Sequence, residues 1–96
     1  MNTEVKSMMV SVTGRVQGVG FREWTRREAT RRGVVGWVRN ERDGSVSALI
    51  EGAPEAVDAM LAAMNSGPLR ARVDHLSAMP GAETEGQQFE ITEPDF

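Results

Sequence analysis

The first apolar pattern along the chain has a period of two. Within residues 8–13, a stretch rich in β-formers, Val10 and Val12 stand two apart, which predicts a strand with one face turned to a core. Gly14 ends it, and the loop Arg15-Val16-Gln17-Gly18-Val19-Gly20 follows. Residues 21–32 contain helix formers, no Gly or Pro, and Glu–Arg pairs four apart, Glu23 with Arg27 and Glu28 with Arg32. The apolar stripe of this helix is thin: Phe21, Trp24, Thr25 and Ala29. Gly33 stands where a helix C-cap is expected. Residues 34–40 and 45–51 predict two strands, and the intervening Glu41-Arg42-Asp43-Gly44 carries the Asp-Gly pair that favours a tight hairpin between antiparallel neighbours. Pro54 suits a first helical position, and Val57, Met60, Leu61 and Met64 follow at i, i+3, i+4 and i+7, the clearest amphipathic helix of the chain. That helix stops near Asn65-Ser66-Gly67-Pro68. Residues 71–79 predict a fourth strand and residues 89–92 a short fifth.

The order strand, helix, strand, strand, helix, strand predicts an α+β fold: a ferredoxin-like split βαβ sandwich (βαββαβ), an antiparallel sheet with two helices on one face. That architecture hosts RNA-binding modules, regulatory domains, metal carriers and enzymes, so function has to come from the residues of a site. The 96 residues suffice for one domain, read as spanning 1–96 with its core at about 8–92. Cysteine is absent, so neither a disulfide nor a thiolate metal site can stabilise this core. The apolar stretch after the polar opening is too short for a signal peptide or a membrane span, and a cytoplasmic protein without a membrane partner is expected. The net charge of −3 conceals an imbalance: residues 1–48 hold nine Lys or Arg against five acids, and residues 49–96 hold two against nine. A basic first half could attract an anion, unless the fold interleaves the halves and leaves a mixed surface.

Three glycines lie within the seven residues 14–20, where a strand gives way to a helix. Such a loop can turn successive backbone N–H groups toward one point, and the helix N-terminus adds unsatisfied donors and partial positive charge, a combination suited to phosphate. Arg22, in the first helical turn, brings a planar guanidinium able to hold two phosphate oxygens. A cation at a helix start opposes the macrodipole, and a bound anion would supply the reason for it. Taken alone, the pattern reads rather as a tight loop beside a solvated Arg22, because short glycine patterns are unspecific and there is no Gly-Lys-Ser/Thr and no dinucleotide-binding spacing. Asn40, taken alone, reads as a turn residue ending a strand.

Read as a whole, Gly14-Arg15-Val16-Gln17-Gly18-Val19-Gly20-Phe21-Arg22 resembles the first signature of the acylphosphatase family. Gly36-Trp37-Val38-Arg39-Asn40 followed by Asp43-Gly44 resembles the second, at a matching separation. Gly67-Pro68 with Ala71 and Val73 is similar to the family's pattern before the fourth strand, and Phe89-Glu90-Ile91 to its terminal strand, so the resemblance covers about residues 8–92. It implies an enzyme that hydrolyses the carboxyl–phosphate bond of a small-molecule acyl phosphate without metal or organic cofactor. It further implies that the backbone amides of Arg15, Val16, Gln17, Gly18, Val19 and Gly20 wrap the phosphate, that Arg22 anchors it, and that Asn40 positions the attacking water. Asn suits this task physically: its amide holds water but does not titrate near neutral pH. The acyl phosphate has a good carboxylate leaving group, so positioning and charge stabilisation can replace a strong base. Glu41 departs from the pattern, since some members carry a hydroxyl residue there, and a carboxylate near the phosphate would lower affinity unless it points away.

The rival is a non-catalytic phosphate-, ligand- or RNA-binding module of the same fold. An RNA module would need aromatic stacking residues on its sheet, whereas the chain has two Trp, three Phe and no Tyr and is negatively charged. No nucleic-acid partner is therefore expected, and the chain is read as a monomer. The basic face of Arg26, Arg27, Arg31 and Arg32 is partly balanced by Glu23 and Glu28 and reads as solvated helix. His75 is the single histidine and no metal site is expected around it. Trp24 and Trp37 are expected to be packing residues.

Overall fold

The stretch around Val10 and Val12 forms β1 (Lys6–Arg15), longer at both ends than the alternation alone predicts. Its length follows from having a partner on each side: β3 (Val46–Gly52) pairs with it from Lys6↔Gly52 to Val12↔Val46, and β4 (Arg72–Pro80) from Met8↔Pro80 to Arg15↔Arg72. The computed structural model describes residues 4–84 and 86–93. After β1 come α1 (Phe21–Arg31), β2 (Val35–Asn40), β3, α2 (Pro54–Ser66), β4 and β5 (Phe89–Ile91). α1 ends into Gly33, whose φ of 73° is the left-handed conformation expected of a residue in that place. The sheet order is β4-β1-β3-β2-β5. The first four strands pair antiparallel, as expected of the ferredoxin-like arrangement, and β5 adds a parallel partner to β2, making the five-stranded sheet mixed.

That parallel pairing follows from the route of the chain. β4 and β5 occupy opposite edges of the sheet, so the connection between them must cross β1, β3 and β2. It does so on the face away from the helices. Gly81 N–H donates to Ser7 O at 3.0 Å, Ser7 Oγ donates to Ala82 O at 3.0 Å, and Thr84 N–H donates to the buried Glu51 carboxylate at 2.8 Å. The Thr84 bond gives Glu51, only 7% exposed, a polar partner where it would otherwise face its desolvation cost unaided.

The opposite face carries the core. Val10 and Val12 of β1, Val38 of β2 and Val46, Ala48 and Ile50 of β3 pack against Phe21 and Ala29 of α1 and against Val57, Met60 and Met64 of α2, all buried. Thr25 is buried in α1, and its Oγ1 donates to the Phe21 carbonyl at 2.8 Å, which satisfies a hydroxyl inside an apolar layer. Leu61, the remaining member of the α2 stripe, lies at the edge and is partly buried. At Gly36, the second residue of β2, the neighbouring backbone leaves no room for a side chain: a Cβ there would come within 1.8 Å of the Leu49 carbonyl oxygen. No helix among the described residues is long and apolar enough to cross a membrane.

Candidate active site

The carboxyl ends of β1, β2 and β5 and the amino end of α1 meet at one end of the sheet. Between β1 and α1, the loop is held by two apolar residues: Val16 and Val19 are buried in the core, while Gly18 and Gly20 are exposed. Gly18 and Gly20 have φ of 74° and 79°, a left-handed conformation that other residues adopt only at a cost, and nothing nearby would obstruct a Cβ at either. Backbone conformation rather than crowding is what these two positions demand. Gly20 is also the N-cap of α1, and no side chain caps the helix start. The first-turn N–H groups are thus left to whatever enters from outside.

Arg22 follows one residue into the helix, with its side chain 32% exposed. Asn40 ends β2 opposite Val46. Its Oδ1 is buried and has no protein hydrogen-bond partner, a costly condition that water or a ligand would relieve. Val16, Gly18, Gly20, Phe21, Arg22 and Asn40 line one cleft of about 270 Å³. Two signatures separated in sequence therefore share a single cavity.

The side chains of three residues of the loop do not line that cleft. Arg15 is exposed at the end of β1, Val19 is buried, and Gln17 turns its side chain to the β2–β3 hairpin. There its Nε2 donates to the carbonyl oxygens of Glu41 at 2.8 Å and Ser45 at 2.9 Å, bracing the loop against the strand end that carries Asn40. The hairpin is closed by Glu41 N–H donating to Ser45 O at 2.8 Å, and by Asp43 Oδ1 accepting the backbone N–H of Ser45 at 2.9 Å and its hydroxyl at 2.6 Å.

Glu41 points away from the cleft. Its carboxylate accepts from Arg39 Nε at 2.7 Å and from Ser47, on the helix-free side of the sheet, and the Arg39 guanidinium followed by the Ser47 hydroxyl holds it below the usual carboxylate range. Arg39 in turn lies 4.7 Å above the centre of the Trp37 ring. Trp37 is therefore a half-buried residue of the open face, whereas Trp24 packs on the core with its ring centroid 5.6 Å from that of Phe21. His75 is exposed on β4, and among the described residues no group of His, Asp and Glu could hold a metal ion.

Glu23, Ile91 and Glu93 complete the wall of the cleft and have no assigned role in the sequence motifs. Glu23 is paired with Arg26, which lowers its pKa and neutralises the charge next to Arg22. Ile91 and Glu93 arrive because the pairing of β5 with β2 continues past the strand, with Thr92 N–H donating to Val38 O at 2.9 Å. Phe89, Ile91 and Glu93 then share one side of an extended segment, the side of the helices. That parity was the one sequence signal available for them.

The acylphosphatase family model matches residues 8–91. The chain is 52% identical to an acylphosphatase of Rhizobium etli over its whole length and 96% of that relative. Among solved structures, an acylphosphatase from Bacillus subtilis superposes with a TM-score of 0.85 at 36% identity, covering 93% of this chain and 99% of that one. One from Coxiella burnetii gives a TM-score of 0.88 at 27% identity, covering 92% and 93%. With the model match spanning both signatures and the relatives matching over nearly their full length, the chain belongs to the acylphosphatase family.

Proposed function

We propose that this chain is an acylphosphatase that hydrolyses a small-molecule acyl phosphate to a carboxylate and inorganic phosphate. The observation that carries the proposal is the shared cleft, lined by an uncapped helix start, by Arg22 and by Asn40, whose buried Oδ1 has no protein partner. In this reading the backbone amides of residues 15–20 and the Arg22 guanidinium hold the phosphoryl oxygens. Asn40 accepts a hydrogen bond from water and aims its oxygen at phosphorus. The P–O bond to the acyl group breaks as the new P–O bond forms, the carboxylate departs, and the protons of the water remain with the phosphate. No side chain is required as a base, because the leaving group is a weakly basic carboxylate and the charge is stabilised in place. The phosphoryl contacts leave the acyl group unspecified. On composition, the enzyme is read as a cytoplasmic monomer, with one acylphosphatase domain whose core spans about 8–92.

The test is phosphate release from benzoyl phosphate in EDTA by the wild type, Arg22→Ala and Asn40→Ala. The wild type is expected to turn over, and each variant to lose about 10²-fold or more in kcat/KM while melting as a folded protein. A folded wild type without hydrolysis would return the chain to the non-catalytic phosphate-binding class.

A further inference from the structure

Arg22 already has an anionic partner. Its Nη1 lies 3.4 Å from Oε1 of Glu93, which also lines the cleft and whose side chain is 81% exposed against 32% for Arg22. The separation exceeds that of a strong charge-assisted hydrogen bond, about 2.7–2.9 Å, and the pair is open to solvent, so the contact is weak and readily exchanged. It nevertheless puts a carboxylate on the guanidinium that the phosphoryl group needs. Glu23 does not play the same part, because Arg26 holds it.

We infer that Glu93 is an internal competitor for Arg22 that tunes how tightly the site holds a phosphoryl group and eases the departure of inorganic phosphate. The inference rests on the assignment of Arg22 as the phosphate anchor. In the resting enzyme the Glu93 carboxylate occupies part of the guanidinium. An incoming acyl phosphate displaces it with the combined attraction of Arg22 and the loop amides. After hydrolysis the phosphate product holds the same contacts as the substrate's phosphoryl group did, and nothing in the chemistry itself expels it. A carboxylate poised beside Arg22 opposes both bound forms, by taking their partner and by like-charge repulsion. A surface pair of this kind shifts a competing equilibrium by about two- to fivefold, a modest cost in substrate affinity set against faster clearance of product.

The test measures the inhibition constant of inorganic phosphate and the KM for benzoyl phosphate in the wild type, Glu93→Gln and Glu93→Lys, with phosphate binding to each protein and to Arg22→Ala followed by calorimetry. Removal of the charge in Glu93→Gln is expected to lower both constants by the same factor, about two to five at low salt, with a smaller change at 0.5 M salt because screening weakens the competition. Glu93→Lys is expected to lower them further. Unchanged or raised constants in both Glu93 variants, with phosphate binding abolished by Arg22→Ala, would overturn the role of Glu93 and leave Arg22 as anchor. Phosphate binding that survives Arg22→Ala unchanged would instead remove the anchor and, with it, the competition. Glu93 is largely solvent-exposed, so its substitution leaves the core untouched, and thermal melting of each variant checks this.

Discussion

Asn40 and Glu41 are neighbours in sequence and face opposite sides of the sheet, which decides what each can do. The side chain of Asn40 shares the helix side with Val38 and reaches the cleft, whereas Glu41 joins Arg39 and Ser47 on the open side. The departure from the family pattern at Glu41 therefore has less effect on the phosphate than its position suggests. Glu41→Gln is expected to leave the KM for benzoyl phosphate within about twofold of the wild type, since a charge already paired and turned outward is screened from the site. A KM lowered tenfold in that variant would mean that the carboxylate swings into the cleft. That Arg22 and Asn40 line one cleft was legible in the sequence, because each lies inside an uninterrupted motif whose spacing to the other is fixed by a helix and a strand. Glu93 was not, because its place depends on the pairing of β5 with β2 and on no residue next to it.

Two elements have to keep a fixed distance for the site to work: the loop before α1 and the hairpin after β2. Gln17 is the side chain that spans them, with its two hydrogen bonds to Glu41 O and Ser45 O. Both carbonyls have a second donor, Gly44 N–H for Glu41 and Glu41 N–H for Ser45, so Gln17→Ala would leave neither unsatisfied. The expected loss of stability is accordingly that of one ordinary hydrogen-bonding side chain, about 1 kcal/mol, or a Tm lower by roughly 4–8 °C. The activity should fall chiefly through a higher KM, because the loop amides lose their fixed relation to Asn40. Wild-type KM and Tm together would show that the brace contributes nothing. At this scale most of the fold was open to sequence reasoning. Period-two alternation found β1, the Asp-Gly turn found the β2–β3 hairpin, and the i, i+3, i+4, i+7 stripe found α2, since each pattern reports on one buried face. Less was available where pairing rather than pattern sets the outcome. β1 extends past its alternating residues because strands flank it on both sides, and the parallel direction of β5 follows from a crossing of the sheet that no local pattern encodes. The brace by Gln17 was hidden for a related reason, since the motif marks the residue without saying which of its groups, side chain or backbone, matters.

Across the whole molecule, the charge imbalance between the two halves of the sequence is folded into proximity. β1 lies between β3 and β4, β5 lies beside β2, and the pairs Lys6–Asp58 at 2.7 Å and Arg22–Glu93 at 3.4 Å each join a base from the first half to an acid from the second. Four carboxylates, Glu23, Glu28, Glu41 and Asp43, have shifted pKa values, and local partners hold them. Arg26 lowers Glu23, Arg31 and then Arg32 lower Glu28, Arg39 and then Ser47 lower Glu41, and the hydroxyl and backbone N–H of Ser45 lower Asp43. All four are depressed from ordinary values of 4.5 for Glu and 3.8 for Asp, so in acid the unfolded chain takes up protons before the folded one does. The stability they supply is complete above those ordinary values and is lost as the pH falls through the lower, folded ones. Urea midpoints are therefore expected to vary little on account of these groups between about pH 7 and about pH 5.5, and to drop progressively below about pH 4.5. Asp43 is exposed and the three glutamates remain in part open to solvent, so the slope should be shallow, and salt should divide it. Raising the salt to 0.5 M should flatten the part due to Glu23, Glu28 and Glu41, whose leading partners are cations, and spare the part due to Asp43, whose leading partner is the neutral Ser45. Removing Asp43 as Asp43→Ala should then take away most of the acid sensitivity that survives in high salt, whereas a midpoint that rises on acidification would contradict the sign of every one of these shifts.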